Sequence, residues 1–195
     1  MGRMGLVGHM VLLLPSVHKP HATVHTNLAP RNTMAPLRGH NPPVREILGR
    51  MDASGKRFAV VVSRWNELVT KELLAGALDE LRRFGDPEVE VVHVPGTWEI
   101  PIVVRKLVTR DNRPDAVLAL GCILQGQTPH AKLLGSDVGA ALMSLQVEHG
   151  VPIAWGVLTP DTQDQALDRS GLKYGNKGRE AAQAAIELAS VLERL

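Results

Sequence analysis

The chain has 195 residues, 44% hydrophobic and 22% charged, the balance of an ordinary globular domain. Its net charge of +2 leaves no basic stripe for nucleic acid, and its single cysteine, Cys122, excludes an internal disulfide framework and suits a reducing compartment such as the cytoplasm. No stretch is long and apolar enough to span a bilayer; the run from Leu6 to Leu14 is interrupted by Gly8 and His9 and lacks a signal-peptide cleavage site.

Composition shifts near residue 50. Residues 1–50 carry six Lys/Arg against one Asp/Glu, with six Pro and five His and no helical or strand period. They read as a disordered or poorly ordered extension, with the domain over 51–195. Two other origins fit: an upstream start, with translation beginning at Met34 or Met51, or a transit peptide, which the low serine content disfavours.

From Met51 the pattern is regular. Arg57 to Ser63 is a continuous β-prone run, as in a strand buried on both faces. Asn66 is expected to cap a helix whose apolar residues Val69, Leu73, Ala77 and Leu81 fall four apart, with Gly85 ending it. Val89 to Val94 reads as a second strand. Glu99 to Thr109 reads as a helix with Pro101 tolerated in its first turn. A third strand is expected over Ala116 to Cys122, a helix from about Ala131 to His149 closed by Gly150, and a fourth strand over Pro152 to Val157. A helix near Thr162 to Arg169 and an Ala-rich one over Lys177 to Leu195 finish the chain. Alternating strands and helices predict an α/β fold, a four-stranded parallel sheet with helices on both faces. Ligands gather beyond the carboxyl ends of such strands.

Those ends carry unusual residues. The first gives Ser63-Arg64-Trp65-Asn66, and the second Pro95-Gly96-Thr97-Trp98-Glu99-Ile100-Pro101. The third gives Gly121 to His130, and the fourth Ala154 to Thr159 with Trp155. Three Trp at or beside strand ends predict a pocket that stacks on a flat ring, although any one Trp alone is better read as core filling. His130 sits at a loop-to-helix junction, where backbone N–H groups bind anions and an imidazole moves protons near neutral pH. A lone histidine is usually structural, so chemistry alone leaves this even. Gln127 and Thr128 add donors, yet no Gly-Lys-Ser/Thr makes a Walker loop. Arg169 to Gly178 forms a second polar cluster, phosphate-binding in one reading and a solvated helix end in the other. No metal-ligand spacing, nucleophile elbow or dinucleotide fingerprint is present.

Taken in order, Ser-Arg-Trp-Asn, Pro-Gly-Thr-Trp-Glu-Ile-Pro, Gly-x-x-x-x-Gly-x-Thr-Pro-His, Gly-Val-Leu-Thr-x-Asp-Thr and Lys-x-Gly-Asn-Lys-Gly resemble the lumazine synthases of riboflavin biosynthesis, across Arg57 to Leu195. The resemblance implies a flavodoxin-like three-layer sandwich and the condensation of 5-amino-6-(D-ribitylamino)uracil with 3,4-dihydroxy-2-butanone 4-phosphate, without a cofactor. It implies that Trp65 stacks on the pyrimidine beside Asn66, and that Thr97, Trp98 and Glu99 meet the ribityl chain. Cys122, Ile123 and Leu124 line the pyrimidine pocket, and Trp155 completes it from an adjacent subunit. Gln127, Thr128 and Arg169 hold the phosphate, Lys177 is a further candidate there, and His130 donates and accepts protons.

The same resemblance implies a pentameric homo-oligomer or an icosahedral shell of twelve pentamers, with riboflavin synthase as a candidate partner. The chain departs from the family's usual pattern in Leu124-Gln125-Gly126, in Ala131-Lys132-Leu133 after the histidine, and in Trp at usual Phe positions. These departures motivate an alternative, a shell-forming or flavin-binding member without activity; His130, Arg169 and Asn66 argue against it. A nucleotide-binding receiver or carrier would need acidic phosphoacceptors or a flavin-phosphate loop, and neither is found.

Overall fold

The computed structural model describes residues 43–195, and Val44–Leu195 form one compact unit. The expected extension lies, up to residue 42, outside the described residues. The expected domain start at residue 51 falls inside this unit, because residues 44–50 lie along the last helix. There the Arg50 N–H donates to Ser190 Oγ at 3.0 Å, and an Arg194 guanidinium N–H donates to the Leu48 carbonyl.

Four strands, β1 (Arg57–Ser63), β2 (Glu88–Val94), β3 (Ala116–Cys122) and β4 (Ile153–Leu158), form an all-parallel sheet in the order β2-β1-β3-β4. The helices are α1 (Glu67–Arg83), α2 (Ile100–Val108), α3 (His130–His149), α4 (Gln163–Asp168) and α5 (Lys177–Leu192). A 3-10 turn, Thr97–Glu99, precedes α2, so the expected helix from Glu99 begins one residue later, with Pro101 in its first turn. β1 and β3 have the expected bounds, and elsewhere the expected boundaries shift by one to three residues, as fraying ends commonly do.

Alternation along the strands sorts the core. Phe58, Val60, Val62, Leu118 and Leu120 face α1 and α5, while Ala59, Val61, Val117 and Ala119 face α2 and α3. The central strands therefore carry unbroken apolar runs, Phe58 to Val62 and Ala116 to Cys122, whereas β2 at the edge alternates with polar residues. Each large side chain buried this way contributes about 1.5–3 kcal/mol. Crossovers run one way from β1 to β2 and the other way from β3 to β4. The connections therefore reverse between β1 and β3, and a crevice opens beyond their carboxyl ends.

Candidate active site

Where the chain leaves β1 it must turn sharply into α1. Asn66 makes that turn with φ 62°, in the left-handed region that Asn tolerates better than most residues. The expected side-chain cap does not form. Instead its amide donates to the Cys122 carbonyl at 2.7 Å, tying the end of β1 to the end of β3. Trp65, one residue earlier, lies against Gly96: a Cβ there would stand 2.6 Å from the indole ring. Glycine thus allows the ring to rest on the backbone that leads into the 3-10 turn.

At the end of β2, Glu99 accepts a hydrogen bond from the Gly96 N–H at 2.8 Å. One of its carboxylate oxygens is therefore committed to shaping this segment. Thr97 is buried at the crevice floor, and Trp98 is 57% exposed at its rim. At the end of β3, burial pushes the Cys122 thiol up to about 11, so it is a neutral, apolar part of the wall at physiological pH. The following loop carries Thr128 and brings His130 to the first position of α3.

These segments enclose an open cavity of 280 Å³ lined by Trp65, Asn66, Thr97, Trp98, Cys122, Ile123, Leu124, Gly126, Thr128, His130, Ala131 and Leu134. It holds an aromatic plane, an imidazole, two hydroxyls and the amino end of a helix, and it sits at the reversal between β1 and β3. Such a space can hold a flat ring at one end and an anion at the other. The sequence reading missed Leu134 and Ala131; Leu134 lies four residues after His130 and so shares its helix face.

Five of the expected site residues lie elsewhere in the single chain. Glu99 shapes the segment below, and Gln127 is exposed on the loop outside the lining residues. Trp155 is not at a strand end: it pairs with Ala119 within β4, and its ring lies against Gly139 of α3. The expected cluster of three Trp is therefore two Trp plus one in a separate cavity, lined also by Gln125, Lys132 and Asp161. Arg169 and Lys177 line a third cavity of 480 Å³ with Tyr174, whose ring lies 5.6 Å from the Arg169 guanidinium. Asn176 fixes that corner. Its side chain accepts from the Gly178 and Arg179 N–H groups to cap α5 and donates to the carbonyls of Glu72 and Ser170.

A family model described as 6,7-dimethyl-8-ribityllumazine synthase matches residues 55–193. The chain belongs to the lumazine synthase family. A lumazine synthase of Salinibacter ruber is 49% identical over 149 residues, covering 75% of this chain and 95% of its own length. That of Desulfotalea psychrophila is 44% identical over 76% of this chain and 97% of its own, and that of Protochlamydia amoebophila 41% over 78% and 89%. As a lumazine synthase the chain has the expected α/β architecture. Among the described residues no helix is long and apolar enough to cross a membrane, and no cluster of His, Cys, Asp and Glu could hold a metal ion.

Proposed function

We propose that this lumazine synthase condenses 5-amino-6-(D-ribitylamino)uracil with 3,4-dihydroxy-2-butanone 4-phosphate in the cavity between the ends of β1 and β3. The carrying observation is that Trp65 and His130, far apart in sequence, line one space at the sheet's reversal point. In this reading the pyrimidine stacks on Trp65 and lies along Cys122, Ile123 and Leu124. The ribityl chain runs toward Thr97, Trp98 and the free carboxylate oxygen of Glu99. The phosphate lies at the loop carrying Gln127 and Thr128. The substrate amine attacks the ketone and water leaves, giving an imine; phosphate is then eliminated, and closure of the second ring releases another water. His130 moves the protons. Holding two substrates face to face supplies about 7–11 kcal/mol in favourable intramolecular cases, so one imidazole and a phosphate clamp suffice. The purified protein should produce lumazine absorbance from the two substrates with no added cofactor; no product would overturn the proposal.

The site is shared between subunits. Trp155, Arg169 and Lys177 do not reach the cavity within one chain. A neighbouring copy supplies them, Trp155 to the pyrimidine and Arg169, with Lys177, to the phosphate. An apolar groove between α2 and α3, bordered by Trp98, Pro101, Ile102 and Val138, offers a surface for that neighbour. A closed ring of identical head-to-tail contacts satisfies such an interface. The reading is a cytoplasmic pentamer, able to pack twelve rings into a shell and to accept riboflavin synthase as a partner. Light scattering decides: an active monomer refutes the shared site, and an isolated pentamer refutes only the shell.

A further inference from the structure

We infer that Gln125 is a positioning residue that turns the β3–α3 loop into an anion cradle; this rests on the reading that the phosphate of the substrate lies at that loop. The Gln125 side-chain amide donates to the carbonyls of both Gly126 and Thr128, each at 2.7 Å, and its own backbone N–H donates to the Pro160 carbonyl at 3.0 Å. The residue thus anchors itself to the segment after β4 and pulls two loop carbonyls toward itself. In a trans peptide the carbonyl and the following N–H point opposite ways, so fixing the Gly126 carbonyl turns the Gln127 N–H away from Gln125. The Thr128 carbonyl precedes Pro129, which has no N–H, so holding it costs the loop no donor. Among the described residues the N–H groups of Gly126, Gln127 and Thr128 make no backbone hydrogen bond, and apart from its own chain neighbours nothing lies within 4 Å of where a Gly126 Cβ would stand. The consequence is a stretch of free donors at the amino end of α3 with the repelling carbonyl oxygens drawn aside. Gln125 brings no charge of its own, so it acts through the orientation of the loop dipoles and through where the loop sets His130, five residues after it.

The test uses the full-length protein with Gln125→Met, which keeps length and neutrality but removes the donor, and Gln125→Ala. Inorganic phosphate binding is measured by calorimetry, alongside KM for each substrate and the melting temperature. Losing both hydrogen bonds should weaken phosphate binding, and raise KM for the butanone phosphate, by about tenfold, with KM for the aminouracil changed less than about twofold. Wild-type phosphate affinity in both variants would overturn the inference, as would an equal rise in both KM values with a lowered melting temperature, the pattern of a merely structural role. A wild-type enzyme that turns over but binds no phosphate would overturn the loop as phosphate site and leave the synthase activity standing.

Discussion

The contact between Trp65 and Gly96 gives the sharpest test of the site. A Cβ at position 96 would stand 2.6 Å from one indole carbon and 2.7 Å from another. Ordinary carbon contacts begin near 3.5 Å, so Gly96→Ala forces the ring to move by about 1 Å. The backbone at Gly96 is extended, with φ −131°, so alanine itself brings no strain. Trp65 is 66% exposed, which lets the ring swing outward at little cost in stability. If that ring is the stacking plane for the pyrimidine, a misplacement of about 1 Å should lower kcat/KM by up to a hundredfold. The melting temperature should change little. Steady-state kinetics on Gly96→Ala, Trp65→Ala and the double variant isolate the effect. Once Trp65 is gone, the methyl group at 96 meets only the Glu99 carboxylate oxygen, 3.0 Å away, so the two losses should be strongly non-additive. Unchanged kinetics in Gly96→Ala, or fully additive losses, would refute the stacking role.

His130→Ala should slow turnover by roughly a hundredfold or more with the fold intact, because it removes a proton carrier at the surface of the cavity; a near-normal kcat would remove His130 from the mechanism. Cys122 makes stability pH-dependent: its folded thiol keeps its proton to about 11, whereas the unfolded chain loses it near 9.0. The unfolded state therefore binds fewer protons above pH 9, and stability should fall by about 1.4 kcal/mol per pH unit from there toward pH 11. Urea unfolding of the wild type and Cys122→Ala should show that slope reduced in the variant. Deleting residues 1–43 should leave the unfolding midpoint unchanged, while deleting 1–50 should lower stability by about 1–3 kcal/mol through loss of the hydrogen bonds to Ser190 Oγ and to the Leu48 carbonyl; equal stability would show that residues 44–50 contribute nothing.

The sequence by itself determined the order and type of the elements. An unbroken apolar run such as Phe58 to Val62 has only one stable home, the middle of a parallel sheet covered on both faces. The fourfold spacing of Val69, Leu73, Ala77 and Leu81 likewise defines one buried helix stripe. It also ranked the strand-end motifs as the place of chemistry, because parallel topology puts all those ends at one edge. The tertiary structure decided what strand periodicity cannot carry, namely which ends are neighbours and which way side chains point. The order β2-β1-β3-β4 sets Asn66 against Cys122, and so turns an expected helix cap into a bridge between strands. It holds Trp155 within β4, away from Trp65 and Trp98, and it groups Arg169 and Lys177 at a separate corner through Asn176. Hydrophobic period is a local property of the chain, whereas the distance between two strand ends depends on every crossover between them.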